Sequence, residues 1–268
     1  MNKKINNVTI KDNIVIKKNN SNIIDLYNYL DSVGFDNHPK IIDYDENNIR
    51  TEFINSEKYY EMTEGIEFIK VVSSLHKKTC FYKDVSKNKY RKIYDKISNN
   101  IEYLKKYYED IINNIEDEIY MSPSHYLLAR NYSIIDSSLK YSSKELKSWF
   151  NKVSMKSKER VCTIHNNLSR DHFIKGDKSY LISFDNSLVD TPILDLYKFY
   201  KKEGFKLDFK SLLNEYNNNF ELLDEEKMLL NILISLPPKI IMIEDEYQNC
   251  INIRNSLNYI YSGINIVS

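Results

Sequence analysis

Glycine and proline are scarce in this chain, with five of each in 268 residues, and the first glycine is Gly34. So few breakers, scattered rather than clustered, leave no linker, internal repeat or low-complexity tract, so any lobes must be closely joined. Charge of one sign is equally missing. Lys plus Arg and Asp plus Glu both number 38, which removes the basic excess that a nucleic-acid partner requires. The three cysteines, Cys80, Cys162 and Cys250, are odd in number, far apart and without a C-x-x-C pair. They suggest neither a disulfide framework nor a zinc cluster, and read as small buried thiols. No window approaches the ~18 uninterrupted apolar residues of a membrane span, and Met1 to Ile16 has no apolar core of the signal-peptide kind. A cytoplasmic protein with no membrane partner is expected.

What is present suits an ordinary globular protein: 42% hydrophobic residues against 28% charged ones can bury a core in one large domain or two lobes. The abundance of Lys, Asn, Ile and Tyr is explained by an AT-biased genome and carries no functional reading. Residues 8–17 alternate β-branched and polar side chains about Lys11-Asp12-Asn13, which predicts two strands and a turn. A helix over Asn22–Val33 ending at Gly34, then strands at Lys40–Tyr44 and Ile49–Ile54 about Asp45-Glu46-Asn47, complete a β-β-α-β-β order.

From Glu61 the period becomes helical, through Ile66, Ile69, Val72 and Leu75-His76, and again through Tyr90, Ile93, Ile97, Ile101, Leu104 and Tyr108. Ser122-Pro123 predicts an N-cap and first-turn proline for a helix through His125–Ile135, and Ser142 or Ser143 would cap a further helix carrying Trp149. Strand signals return at Val161–Ile164 and Tyr180–Phe184 before helices resume. The expected fold is α+β, with a small antiparallel-sheet lobe over 1–56 and a large, mainly helical lobe over 57–268 that carries a hairpin at 161–185.

The chemistry-bearing stretch begins at His165-Asn166-Asn167-Leu168-Ser169-Arg170-Asp171-His172-Phe173-Ile174. It resembles the H-G-D-L-x-x-x-N/H-I catalytic loop of the aminoglycoside phosphotransferase and choline kinase-like superfamily, whose fold is protein-kinase-like and two-lobed. In that family the Asp orients or deprotonates the acceptor hydroxyl and the Asn or His holds metal. The resemblance places Asn167 at the Asp position and His172 at the metal-holding position. Leu181-Ile182-Ser183-Phe184-Asp185 resembles the family's L-I-D-F-D/G, with Ser183 where the Mg²⁺-binding Asp stands. Asp190-Thr191-Pro192-Ile193-Leu194-Asp195-Leu196 resembles D-P-x-x-D-L, with Asp195 keeping the carboxylate that braces the loop.

Further matches follow in family order. Val15-Ile16-Lys17 is similar to the V-x-K strand whose lysine contacts the α and β phosphates, with Asp25 in the next helix as its partner. Thr51-Glu52-Phe53-Ile54 is similar to the hinge that receives the adenine, and Leu75-His76-Lys77-Lys78-Thr79 to a structural L-H-x-x-T. The resemblance covers residues 8 to 240. Leu223 to Lys227, followed by an apolar run and Pro237-Pro238, is also similar to the kinase-like spore coat proteins.

The departures have physical consequences. No glycine precedes Lys17, so no glycine-rich loop lets backbone N–H groups close on a triphosphate. A serine hydroxyl at position 183 gives Mg²⁺ one neutral donor in place of a carboxylate. Asn167 cannot take a proton, which removes a contribution of about 10²–10⁴-fold. Asp171 and Asp185 admit two readings: relocated carboxylates, Asp185 sharing a strand face with Ser183, or a solvated loop residue and a turn-former before Asn186-Ser187. His165 and Asp195 read as loop braces. Lys17 reads as a phosphate contact or as an exposed edge-strand lysine beside Lys18. His76 and His125 read as packed or surface residues. Tyrosines between Tyr103 and Tyr141 read as packing or as the wall of an acceptor cleft.

The expectation is a kinase-like protein with lost or much reduced phosphoryl transfer, a pseudokinase acting by binding a small molecule or protein, with weak or absent ATP or GTP and Mg²⁺. One rival is an active ATP- or GTP-dependent small-molecule kinase using Asp171 and Asp185. Another is a structural, spore-coat-type protein, marked by an exposed apolar patch around Ile232–Ile243.

Overall fold

The computed structural model describes residues 3–5, 8–18, 21–55, 61–86 and 88–267. The expected lobe boundary at 56/57 lies outside them. The chain folds into two compact units, each assembled from separated stretches: one from 1–82, 160–198 and 211–221, the other from 83–159, 199–210 and 222–268.

The first unit opens with strands β1 (Lys3–Ile5), β2 (Val8–Lys11) and β3 (Ile14–Lys18), helix α1 (Ser21–Ser32), and strands β4 (Ile41–Tyr44) and β5 (Asn48–Glu52). They form an antiparallel sheet in the order β1-β2-β3-β5-β4. Lys11 pairs with Ile14 across a two-residue turn. Asp12 and Asn13 both have positive φ there, 50° and 60°, the combination that matches the twist of a tight hairpin and that Asp and Asn tolerate. The predicted β-β-α-β-β order is present, with β1 as an added edge strand that the alternation did not mark.

Helix α1 ends where the sequence places its stop. Gly34 has φ 73°, and the Phe35 N–H reaches back to the Leu30 carbonyl at 2.8 Å, closing carbonyls that a helix end leaves unpaired. Asp45 organises the β4–β5 turn by accepting from the N–H groups of Asn47 and Asn48, each at 2.8 Å.

Helix α2 (Glu61–Thr79) buries Phe68, Ile69, Val72, Leu75 and His76, spaced three and four apart on one face. Phe68 meets Phe173 edge to face at 5.6 Å. Each such side chain withdrawn from water contributes roughly 1.5–3 kcal/mol. A short strand β6 (Phe81–Asp84) follows α2.

The hairpin expected over 161–185 resolves into two separate pairings. Strand β7 (Lys158–Ile164) pairs with β10 (Leu188–Asp190), while β8 (Phe173–Lys175) pairs with β9 (Ser179–Leu181). Strand β9 ends at Leu181, three residues before the predicted end. Ser183 is left-handed, φ 66° and ψ 50°, and Phe184–Asn186 is a turn of 3₁₀ helix. The shared strand face invoked for Ser183 and Asp185 therefore does not exist. The physical reason is Phe184, which buries against Tyr27 at 5.8 Å and Phe35 at 6.5 Å and turns the backbone inward.

The second unit is helical: α3 (Lys89–Glu116), α4 (Pro123–Val153), α7 (Asp224–Ser235) and α8 (Glu246–Val267). Two further helices, α5 (Ile193–Lys202) and α6 (Phe209–Asn219), contribute segments to both units. Ser122 caps α4 as predicted, accepting from the His125 N–H, with Pro123 in the first turn.

The second helix expected to start at Ser142 or Ser143 is a continuation of α4. Buried Leu128, Ile135, Leu139, Ser142, Leu146, Trp149 and Val153 keep one helical stripe in phase straight through the serines, so packing overrides a local capping signal. Trp149 stands edge to face with Tyr90 at 6.0 Å, and Tyr200 donates to the Tyr259 carbonyl at 2.6 Å.

Along the 232–243 run, Ile232, Ile234, Leu236 and Ile240 are buried, and only Ile241 and Ile243 among its isoleucines are exposed. Half of that run is buried. Of the cysteines, Cys162 is buried while Cys80 and Cys250 are half-buried, and none forms a disulfide. No described helix is long and apolar enough to cross a membrane.

Candidate functional site

The loop after β7 hangs on one carboxylate. Asp195, in the first turn of α5 and fully buried, accepts the His165 N–H on Oδ2 at 2.7 Å and the Asn166 N–H on Oδ1 at 2.7 Å. His76 Nε2 also meets Oδ2 at 3.1 Å, and its Nδ1 meets the Tyr216 hydroxyl at 2.7 Å. A buried carboxylate is tolerable only when its lone pairs are filled this way.

The C-terminal end of α2, which carries His76, also grips β7 directly. Thr79 Oγ1 accepts the Thr163 N–H at 3.0 Å while donating to the Leu75 carbonyl at 2.8 Å. His76 and Thr79 of the Leu75-His76-Lys77-Lys78-Thr79 stretch thus hold the loop and the strand in place.

His165 donates from Nε2 to the Ile182 carbonyl at 2.8 Å, which sets its tautomer. Burial pushes its pKa below the usual histidine value, which favours the neutral ring. Its Nδ1 is buried without a hydrogen-bond partner. His172 donates from Nδ1 to the Asn167 carbonyl at 2.8 Å, which leaves its Nε2 lone pair as the available donor atom. Asn166, left-handed with φ 63°, spans from the Asn186 carbonyl at 2.9 Å to the Lys198 ammonium.

A cavity of about 190 Å³ brings together most of the residues predicted for nucleotide and metal: Lys17, Glu52, Phe53, Ile54, Ser183 and Asp185. Asp25 does not line it, and among the described residues no ion pair joins it to Lys17. Asp25 lines a second cavity, of about 520 Å³, which Asp185 also borders. Asn167, His165, His172 and Asp195 belong to the loop and its brace and line neither cavity. Asp171 is exposed on the 3₁₀ turn Arg170–His172, with its N–H donating to Ser169 Oγ at 3.3 Å, and lines neither cavity.

Two N–H groups of the segment predicted to be the hinge are already in use, that of Glu52 by the Lys40 carbonyl at 3.0 Å and that of Phe53 by the Asn13 carbonyl at 3.1 Å. Tyr27, against Phe184, also lines the smaller cavity, and burial and the Asp185 charge hold its phenol well above the usual tyrosine value.

As a magnesium site the donor set does not fit. Mg²⁺ seeks several charged oxygens in octahedral array, and Asp185 is the single carboxylate among the three predicted ligands, beside the Ser183 hydroxyl and the His172 imidazole. Among the described residues no group of three or more His, Cys, Asp or Glu is placed to hold a metal ion.

Sequence reasoning missed the His76–Tyr216 relay behind Asp195 and the Lys198 contact to Asn166. His76 and Tyr216 lie 140 residues apart and meet only in the fold. The L-H-x-x-T pattern was the one local signal for that end of the relay.

No protein-family model matches the chain, and no curated protein matches it in sequence. Solved structures match it in shape. An aminoglycoside phosphotransferase from Alicyclobacillus acidocaldarius superposes with a TM-score of 0.70 at 7% identity, over 99% of this chain and 90% of its own. A spectinomycin phosphotransferase, solved as its AMP-bound complex, superposes with a TM-score of 0.52 at 12% identity, over 96% of this chain and 89% of its own. Identities this low establish a shared fold, and a fold alone does not carry an activity.

Proposed function

We propose that this chain, whose fold is that of the aminoglycoside phosphotransferases, is a kinase-like protein with lost or much reduced phosphoryl transfer that acts by binding. One observation carries the reading. The loop brace is intact, with Asp195 holding the His165 and Asn166 N–H groups at 2.7 Å, while the positions of the base and the metal carboxylate hold Asn167 and Ser183. A frame has been kept and the groups that move a proton and fix a metal have not.

The ligand site is the smaller cavity. Lys17 would face phosphate and Phe53 and Ile54 the base, as the resemblance implies, and a protein of the same fold solved with AMP bound supports a nucleotide as the ligand. At about 190 Å³ the space falls below the roughly 300 Å³ at which drug-sized ligand pockets begin. Together with the absent glycine loop this favours a weak nucleotide or a smaller ligand. The rival with relocated carboxylates is less well supported: Asp171 is exposed away from the cavity, and only Asp185 borders it.

The test is a calorimetric titration with ATP and GTP, each with and without Mg²⁺, on the native protein and on an Asn167→Asp/Ser183→Asp double variant. Weak, metal-independent binding to the native protein and a gain of metal dependence in the variant is the expected result. Metal-dependent binding and steady phosphorylation of a hydroxylated amine by the native protein would overturn the proposal and favour an active kinase.

A further inference from the structure

Two adjoining loops of the helical unit leave apolar side chains in water. Ile119 and Tyr120, between α3 and α4, are each 90% exposed. Ile241 and Ile243, between α7 and α8, are exposed as well, and Tyr247 in the first turn of α8 is 76% exposed. The loops are joined where Ser124, in the first turn of α4, donates from Oγ to the Glu246 carboxylate of α8 at 2.8 Å. Isoleucine and tyrosine gathered in this way, without the burial that folding supplies, mark a surface that a partner covers.

The backbone under these side chains is anchored. Buried Asn249 accepts the Ile243 N–H at 2.9 Å and donates to the Ile243 carbonyl at 2.8 Å, and the Tyr108 hydroxyl accepts the Ile240 N–H at 3.2 Å. In the other loop, His125 Nδ1 meets the Glu118 carboxylate at 2.8 Å. A surface held in place before binding has little ordering entropy left to lose.

Charge decides the occupant. From Tyr107 to Ala129 the chain has five carboxylates and no lysine or arginine, and from Ile240 to Ile253 three carboxylates and again neither cation. Glu118 is engaged by His125 and Glu246 by Ser124. Glu116, Asp117 and Glu244 are exposed, and among the described residues no hydrogen bond or ion pair engages their side chains. Such a rim repels nucleic acid and anionic lipid and attracts positive charge, while the apolar side chains between the carboxylates suit the apolar face of a helix. We propose that this surface docks a basic, amphipathic helical segment of a partner protein, its apolar face on Tyr120, Ile243 and Tyr247 and its lysines or arginines on Glu116, Asp117 and Glu244. The surface shares no residue with the smaller cavity, so the proposal does not depend on the nucleotide reading.

The test uses the full chain and a fluorescein-labelled Lys/Leu peptide of about 18 residues, five helical turns, patterned with leucine on one face, followed by anisotropy and backbone-amide NMR. Two control peptides separate the contributions: glutamine in place of leucine keeps only the charge, and glutamate in place of lysine keeps only the apolar face. Each control is expected to bind at least about tenfold more weakly than the probe, a loss of about 1.4 kcal/mol, and the probe should shift amides at 116–121 and 241–247. Tyr120→Ser/Tyr247→Ser and Glu116→Lys/Asp117→Lys/Glu244→Lys, all at exposed positions, should each weaken the probe at least about tenfold while leaving the melting temperature in place. No binding of the probe, equal binding of the Lys/Gln peptide, or binding unchanged in both variants would overturn the proposal. So would self-association of the free chain in sedimentation velocity that Tyr120→Ser/Tyr247→Ser abolishes, since a second copy would then cover this face.

Discussion

Asp195 and His165 are 30 residues apart, and a 2.7 Å bond from the His165 N–H to the Asp195 carboxylate fixes where the loop turns away from β7. With the matching bond to the Asn166 N–H, both oxygens of a fully buried carboxylate are committed to backbone. The frame of the site therefore rests on one charge that water does not reach.

Asp195→Ala would strand two buried N–H groups and the His76 ring. The expected loss is about 3–5 kcal/mol, and Asp195→Asn should lose less, since its amide oxygen can still accept one of the bonds. Urea denaturation read by circular dichroism measures both. A loss below 1 kcal/mol for Asp195→Ala would show that the brace is not needed for folding.

His165 makes stability depend on pH. Its folded pKa is depressed from the usual 6.5 by burial, so the unfolded chain takes up the proton first. The sign follows: stability is fully present above about pH 6.5 and is lost as pH falls from there to the folded pKa, because the unfolded state binds more protons across that window. Replacing His165 with Asn should flatten the part of the stability-pH curve just below neutrality. Denaturant midpoints at a series of pH values, native against variant, test it.

Ser183 sits in the left-handed region, φ 66° and ψ 50°, where a side chain with a Cβ is strained by roughly 1 kcal/mol. Ser183→Gly is expected to stabilise the protein by about 0.5–1 kcal/mol, visible as a raised melting temperature. A neutral or lower melting temperature would mean that the serine side chain compensates for the strain.

Gly263 on α8 packs against α7 so closely that an added Cβ would lie 2.9 Å from the Ile234 carbonyl oxygen. Backbone cannot step aside as a flexible side chain can, so Gly263→Ala should cost about 1–3 kcal/mol despite alanine's better helix propensity. A stabilised variant in a thermal scan would contradict that packing.

Period and punctuation sufficed to place the strands about Asp12-Asn13, the stop of α1 at Gly34 and the cap at Ser122, because each is set by neighbours within a few residues. Fold class followed from the same local signals and from the spacing of the motifs. Three other features were decided by contacts between segments far apart in the chain. Burial of Phe184 against Tyr27 and Phe35 ended β9 early and took Asp185 off any strand face. A continuous packed stripe carried α4 through serines that locally favour a break. The relay from Tyr216 through His76 to Asp195 shows in the sequence only as the L-H-x-x-T pattern at its His76 end, because its members become neighbours only when the core has formed.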